Sequence, residues 1–230
     1  MLLKNGGKMP KIIGARNRMF AKVRMYAGLD RFNGAYYYAK EIEDIIIPRV
    51  KTDRNWFLIN SLGYIPCPDH SIVFIHNNKD PERYEWLKGS KDLVLVCGVP
   101  ETCDKVKHLG TPIYLPLSMD ISKVAEYKVY RPKKLKEVAF VGRKVKMKLG
   151  HIPEGTDIIC DMCRSKLLKR MAKYKKVYAV GRTAIEAKIL GCEVLPYDDR
   201  FPDPSVWDVI DSKTAAKILQ SQLDLIDGRK

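Results

Sequence analysis

Short apolar runs recur along the first half of the chain, separated by turn residues or by segments of helical composition. The runs lie at residues 56–60, 71–76, 93–97 and 113–116, and segments 81–88 and 100–109 between them favour helices. Buried strands that alternate with helices are typical of parallel sheets, so this pattern predicts an α/β sheet. Two further helices are predicted over 14–29 and 34–46, the second ended by Pro48.

A second series of the same kind follows segment 126–136, which contains a proline and a basic cluster. Its predicted strands are 137–141, 157–160, 177–180 and 193–197, its helices 161–174 and 183–190, and a last helix covers 212–226. The sequence therefore predicts two Rossmann-like α/β halves with parallel sheets flanked by helices. The predicted domains are 1–128 and 129–230.

The segment 176–198 reads as a strand, a tight turn, a helix and a second strand. Gly181 ends the first strand, Thr183 is the expected N-cap of the helix, and Gly191 stands where a C-cap requires left-handed backbone. Such a turn places backbone N–H groups and the positive end of a helix at the carboxyl edge of a parallel sheet, where phosphates bind. Glu186, one turn into the helix, would reach a ribose held there. A βαβ unit without any ligand remains the alternative.

Two other candidate positions follow predicted strands. His76 comes directly after the apolar run 71–75 and has the greatest catalytic potential, although a lone histidine can equally be structural. The loop after strand 137–141 is cationic and suits a diphosphate, because arginine offers a bidentate fork and lysine a point charge. Its candidate ligand residues are Gly142, Arg143 and Lys148.

Charge is unevenly spread over a chain whose net charge is +15. Residues 129–176 hold 15 Lys and Arg against 4 Asp and Glu, and residues 1–30 hold 7 against 1. Two basic blocks on a neutral body indicate a polyanionic partner, with DNA favoured and an anionic membrane surface as the alternative. A solvated lysine-rich surface would explain them equally simply. The candidate contacts are Arg16, Arg18, Lys22, Arg24, Lys166, Lys169, Arg170 and Lys173.

Other features restrict location and chemistry. No apolar run is long enough for a membrane span, and the N-terminus lacks the apolar core of a signal peptide. Six scattered cysteines suit a reducing cytoplasm, so a cytoplasmic protein is expected. The pair Cys160-x-x-Cys163 has no second pair of ligands, so no metal site is predicted.

Two α/β halves, a cationic loop after the first strand of the second half, and the motif G-R-T-x-x-E-A-x-x-x-G at 181–191 together resemble the GT-B fold of nucleotide-sugar glycosyltransferases. The resemblance implies that Arg143 and Lys148 hold the donor diphosphate, with the turn at Gly181, Arg182 and Thr183 beside the phosphates, and that Glu186 holds the ribose. Shorter matches, at 59–61, His76 and M-D-I-x-K-V over 119–124, resemble the DNA α-glucosyltransferases of tailed bacteriophages, which implies DNA modification in a host cytoplasm.

The chain also departs from the family pattern. Many retaining members carry two glutamates eight residues apart, and Tyr178 stands at the earlier position. Asn77 follows the histidine where the phage enzyme often has aspartate, and Leu149 separates Lys148 from Gly150. The resemblance predicts a compact GT-B-like enzyme that moves a sugar from a nucleotide-sugar, UDP-linked by expectation, to a polyanionic acceptor such as modified DNA. His76 would be catalytic, and no cofactor would be permanently bound. The alternatives are a non-catalytic nucleotide or nucleic-acid binding protein and a glycosyltransferase of cell-envelope polymers.

Overall fold

A computed structural model describes residues 12–14, 34–58, 66–75, 81–142, 152–160, 162–196, 199 and 201–228. These residues form an α/β protein with parallel sheets flanked by helices, as the apolar pattern predicts, and the arrangement is compatible with a Rossmann-like fold.

The first sheet has five parallel strands in chain order: β1 (Ile12–Gly14), β2 (Asn55–Leu58), β3 (Ser71–Ile75), β4 (Leu93–Cys97) and β5 (Thr111–Tyr114). Every residue of β3 and β4 is buried, because helices cover both faces of these central strands. The apolar runs predicted these two strands to within a residue. Strand β1 was missed, since three residues are too few for a periodic signal. The helix predicted over 14–29 starts in the sequence at Gly14, which is the last residue of β1. Residues 15–33 lie outside the described residues, so the rest of that helix stays a prediction.

Helices pack on both faces of this sheet. On one face lies α1 (Gly34–Glu41), which continues as a π-helical segment (Ile42–Ile46) and a 3-10 turn (Ile47–Arg49), so the helix predicted over 34–46 is present with altered geometry. On the other face lie a 3-10 helix (Pro81–Gly89) and α2 (Pro100–Val106).

After β5 the chain forms β6 (Ser118–Met119), α3 (Ile121–Ala125) and a 3-10 helix (Glu126–Tyr130). The second sheet then contains β7 (Lys136–Gly142), β8 (Asp157–Cys160), β9 (Tyr174–Tyr178) and β10 (Glu193–Leu195), with α4 (Arg164–Met171) and α5 (Arg182–Ile189) as connections. All four strands are parallel, in the order β10-β9-β7-β8.

This strand order creates a switch point between β7 and β9. From β7 the chain moves outward to β8 and then returns to the other side of β7 to form β9. Connections that leave in opposite directions open a crevice at the carboxyl ends of the two central strands, which is where open α/β sheets bind ligands.

The last part of the chain returns to the first sheet. Strand β11 (Ile210–Asp211) pairs with β6, and α6 (Ser212–Ile226), as predicted from sequence, follows at once. Leu219 and Leu223 of α6 belong to the same buried cluster as Trp56 and Phe74 of the first sheet. The boundary at 128/129 stays a prediction, and the packing of α6 shows that the second half of the sequence supplies a wall of the first sheet.

No helix among the described residues combines the length and apolarity required to cross a bilayer.

A buried arginine attaches the end of α6 to the first sheet. The Arg54 side chain is only 4% exposed, and its Nε and Nη2 donate to Asp227 Oδ1 at 3.0 and 2.7 Å. Its Nη1 donates to the carboxylate and the carbonyl of Asp92, both at 3.0 Å. Since Asp227 caps the C-terminus of α6, one guanidinium joins that helix to the turn before β4.

We expect Arg54→Ala to lower the free energy of unfolding by about 3–5 kcal/mol, because it leaves the largely buried Asp227 carboxylate without its cation. Urea titration followed by circular dichroism would measure the change. Arg49→Ala is the matched control, since Arg49 is exposed and donates one bond, to the Ile45 carbonyl; a change within about 0.5 kcal/mol is expected there. Equal effects of both variants would contradict the assigned role of Arg54.

The same cluster predicts a pH dependence. Burial acts to raise the pKa of Asp92, but hydrogen bonds from His70 and Arg54 outweigh it and hold the pKa below its usual value. A carboxyl with a depressed folded pKa stabilises the fold above its unfolded pKa of about 3.9, and this stability is lost as the pH falls through the folded pKa. Asp92→Asn should therefore destabilise the protein at pH 7, and the difference from wild type should shrink below about pH 4.

Asparagine is suited to this test because it tolerates the left-handed backbone of position 92, where φ is 52°. Unfolding curves at pH 3 to 7 would show the convergence. Asp104→Asn, at an exposed helical position, is the control and should leave the curves unchanged. A stability difference that stays constant down to pH 3 would show that the charge of Asp92 is not its source.

Candidate functional site

The turn after β9 lies at the switch point of the second sheet. Gly181 has a φ of 59° and a ψ of −136°, a conformation essentially restricted to glycine, and a Cβ at this position would meet no atom of a described residue within 4 Å. The conformation therefore requires glycine, and space is open beside it. Helix α5 starts at the next residue, so the expectation of Thr183 as N-cap is wrong: Gly181 occupies that place and Thr183 lies within the first turn. Gly191 ends the helix with a φ of 82°, as predicted.

The N-terminus of α5 is open as far as the described residues show. No side chain caps the helix, and the N–H groups of Arg182 and Thr183 find no acceptor in the described part of the chain. Unsatisfied N–H groups and the helix dipole together form a site that favours an anion.

Arg182 brings a buried positive charge to this helix end. The residue is 8% exposed. Its Nε donates to Glu186 Oε1 at 3.3 Å and its Nη2 donates to Glu41 Oε1 at 3.2 Å, whereas Nη1 is buried without a partner among the described residues. An unsatisfied buried donor on a charged group costs about 1–3 kcal/mol or more, so an acceptor that binds there gains that energy.

Glu186 lies one turn further along the helix and is 4% exposed. Its Oε1 accepts from Arg164 Nε at 2.9 Å as well as from Arg182, and Oε2 receives no hydrogen bond from a described residue. The carboxylate therefore holds two guanidinium groups with one oxygen and retains the other for a further donor.

Glu41 joins the site to the first half of the chain. It lies at the end of α1, its side chain is 11% exposed, and Oε2 accepts from the backbone N–H of Asp120 at 3.1 Å and from Ser212 Oγ at 3.2 Å. The carboxylate of Glu41 thus links α1 to the N-cap of α3, to the start of α6 and, through Arg182, to the start of α5. The carboxyl edge of the second sheet consequently meets α1 of the first half.

Tyr37, also on α1, completes the cluster. The Arg164 and Arg182 guanidinium carbons lie 4.7 and 5.9 Å from its ring centroid, within the range of cation–π attraction. Burial lowers the pKa of the Arg182 guanidinium while Glu186 and Glu41 act to raise it, and the ordinary value is so high that the side chain stays protonated at neutral pH.

Sequence reasoning missed Glu41, Tyr37 and Arg164. Each lies on a predicted helix without a motif, and no local signal indicates which residue of the other half it will face. The helical position of Glu41, one turn after Tyr37, could have placed both on one helix face but could not have identified the partner.

The other predicted site residues fall into two groups. Gly142 ends β7 and pairs with Cys160 of β8, and a Cβ there would lie 3.0 Å from the Phe140 ring. The remaining donor and catalytic candidates, Arg143, Lys148 and His76, and the basic residues Arg16, Arg18, Lys22 and Arg24, lie outside the described residues. Their roles stay predictions.

The predicted basic residues of the second half are exposed: Lys166, Lys169, Arg170 and Lys173. Lys166 is in the first turn of α4, near the carboxyl edge of the sheet. The other three lie at the end of α4 or just before β9, at the amino edge. The structure thus separates most of this basic block from the turn at Gly181.

Comparison of the chain with family models, with characterised proteins and with solved structures found no match. Function therefore has to be inferred from the site itself.

We expect Glu41→Gln to lower the free energy of unfolding by about 3 kcal/mol, because Arg182 loses a buried counter-charge. The value is at the lower end of the range for broken buried pairs, since glutamine still accepts hydrogen bonds. Calorimetric unfolding would measure it. The control is Asp44→Asn on the same helical segment, where the exposed pair with Lys40 contributes at most about 0.5 kcal/mol. A wild-type melting temperature for Glu41→Gln would show that the two halves do not depend on this contact.

Proposed function

We propose that the protein binds a nucleotide-sugar at the carboxyl edge of the second sheet and transfers the sugar to a polyanionic acceptor. The observation that supports this most directly is the buried Arg182, whose Nη1 has no partner in the described part of the chain, at the open N-terminus of α5. A diphosphate is the ligand group that can satisfy a guanidinium and a row of backbone N–H groups together.

The ligand would lie with its phosphates against the N–H groups of Arg182 and Thr183. Gly181 leaves the approach open because it has no side chain and no described atom lies within 4 Å of the place of its Cβ. Arg143 and Lys148, which follow β7 in the sequence, would add cations from the other side of the crevice. The ribose contact implied for Glu186 would use Oε2, since Oε1 already accepts from Arg164 and Arg182.

In the transfer step, the bond between the sugar anomeric carbon and the diphosphate oxygen breaks, a bond to an acceptor hydroxyl oxygen forms, and the proton of that hydroxyl passes to the departing diphosphate. Negative charge grows on the departing diphosphate, and Arg182 with the helix N-terminus would stabilise that charge. Because Glu186 and Glu41 hold the guanidinium from two sides, it needs little reorganisation when the charge develops. His76, directly after β3, is the candidate for orienting the sugar or the acceptor.

A non-catalytic nucleotide-binding protein is the second candidate. It is favoured by Tyr178, which occupies the position of the first of the two paired glutamates, and by the engagement of Glu186 with two arginines. Both candidates use the same phosphate contacts, so binding tests the site and transfer tests the reaction.

Thermal unfolding with UDP- and GDP-sugars and with free nucleotides is the first measurement. A donor at 100 times its dissociation constant should add about 2.7 kcal/mol of stability, visible as a raised melting temperature. Arg182→Lys, which keeps the charge and loses the guanidinium fork, and Arg143→Ala should each abolish most of the shift. Arg170→Ala, at the opposite edge of the sheet, is the matched control and should keep it.

No shift with any nucleotide, or a shift retained in both Arg182→Lys and Arg143→Ala, would overturn the proposal. A shift without release of nucleoside diphosphate from the donor, in the presence or absence of DNA, would favour the non-catalytic protein. Loss of release in His76→Ala with an unchanged thermal shift would assign the reaction to His76.

A further inference from the structure

A cationic surface lies at the amino edge of the second sheet, away from the turn at Gly181. We call it the amino-edge surface; its residues are Tyr130, Lys133, Lys134, Lys169, Arg170 and Lys173, all exposed. They come from three segments that the fold brings together. The 3-10 helix Glu126–Tyr130 packs against α4, and the Lys136 N–H donates to the Lys173 carbonyl at 2.9 Å.

The cations of this surface differ from their neighbours in ion pairing. Its five cations form no ion pair with any carboxylate in the described residues. Neighbouring lysines do: Lys136 pairs with Asp157 at 3.0 Å, Lys175 with Glu137 at 2.6 Å and Lys176 with Glu193 at 3.2 Å. Among the described residues, carboxylates therefore lie within ion-pair distance of these three lysines and not of the five cations, although Asp157 and Arg170 attract each other at a longer distance.

The five cations also differ from Arg131, which has a structural task. Its guanidinium donates to the carbonyls of Gly191 and Tyr174 at 2.8 and 3.1 Å, where α5 ends and β9 begins. Positive charge at the C-terminus of a helix stabilises the fold, and Arg131 supplies it. Lys169 and Arg170 also lie in the last turn of α4, where positive charge is favourable, but their side chains are exposed.

The distance to the nucleotide site indicates the kind of partner. Eight residues of nearly extended chain separate Lys173 from Gly181, which corresponds to about 26 Å. A cation at that distance cannot touch a diphosphate that is bound at the N-terminus of α5. A partner that occupies both places has to be a polymer.

The apolar part of the surface is small. Val129 is 79% exposed and Tyr130 is 42% exposed, and Lys169 Nζ lies 4.6 Å from the centre of the Tyr130 ring. Binding in a membrane interface requires a continuous apolar face, and the described residues offer only these two side chains here. A partly exposed aromatic ring among cations is instead the combination that binds a nucleic-acid strand.

We propose that the amino-edge surface is an exosite for nucleic acid, which holds the phosphate backbone while another part of the same polymer reaches the sugar-transfer site. Its use in the reaction rests on the proposed function, whereas the binding itself requires no donor. The exosite is distinct from the position of the acceptor group, which has to lie at the carboxyl edge.

The test is fluorescence anisotropy with a 30-base-pair duplex and a 30-nucleotide single strand, measured over a series of KCl concentrations. The triple variant Lys169→Gln, Arg170→Gln, Lys173→Gln should bind the duplex more weakly than wild type. The slope of the logarithm of affinity against the logarithm of salt should fall by about 2.7, since each lost phosphate contact contributes about 0.9.

The matched control removes the same formal charge elsewhere, with Lys105→Gln, Lys213→Gln and Lys217→Gln at exposed positions. This control should change the slope by less than the contribution of one phosphate contact, which is about 0.9. Equal losses in the two triple variants would overturn the proposal in favour of a general effect of net charge. Absence of binding to both nucleic acids would overturn it too, and retention on anionic phospholipid vesicles would then identify a membrane surface.

Failure of the exosite and failure of the proposed function are distinguishable on the same proteins. The amino-edge triple variant should keep the full thermal shift with the nucleotide-sugar, because its substitutions lie at the opposite edge of the sheet, about 26 Å from the N-terminus of α5. Loss of both the thermal shift and nucleic-acid binding would indicate a folding defect of the triple variant. The single variants Lys169→Gln and Lys173→Gln would then test the exosite. Each should lower the slope by about 0.9, and unchanged slopes would overturn the proposal.

Discussion

The arrangement depends on the compensation of one buried positive charge. Arg182 stands at the carboxyl edge of the second sheet with almost no exposure, and a charge in that position is tolerated only when it is paired and hydrogen-bonded. Glu186 supplies one partner from the same helix, and Glu41 supplies the other from the first half of the chain. Because Glu41 also holds the start of α6 and the N-cap of α3, the pairing joins the halves at the place where a ligand would enter.

The same pairing leaves the site chemically incomplete. Two carboxylates neutralise two arginines, while the N-terminal N–H groups of α5 and one nitrogen of Arg182 find no acceptor in the described residues. Hydrogen-bond donors therefore exceed acceptors among the described residues of the site, and this excess favours a ligand rich in anionic oxygen. Buried donors without an acceptor indicate phosphate more strongly than positive charge alone does, because the N–H groups of exposed lysines bond to water.

The direction of the parallel strands gives the two edges of the second sheet different tasks. At the carboxyl edge the N-terminus of α5 is open, whereas at the amino edge Arg131 satisfies the ends of α4 and α5. The exposed cations of the amino-edge surface form no ion pair within the described residues, and we have proposed a partner for them. A polymer that spans both edges would connect the proposed phosphate site with the basic surface at the opposite edge of the sheet.

The sequence by itself determined most strands and helices of the two larger sheets and the turn at Gly181, because these depend on local periodicity and on backbone conformations that glycine alone adopts. It predicted β4, β8 and α6 closely. It missed β1, β6, α3, β11 and the π-helical segment, whose signals are short, and it extended the helix of α4 to residue 174, where β9 begins. Only the tertiary structure decided that Arg182 is buried, that Glu41 is its partner across 141 residues of sequence, and that most of the basic block faces away from the site. The physical reason is that charge pairing depends on which helix faces which, and that is decided by strand order and packing rather than by any local pattern.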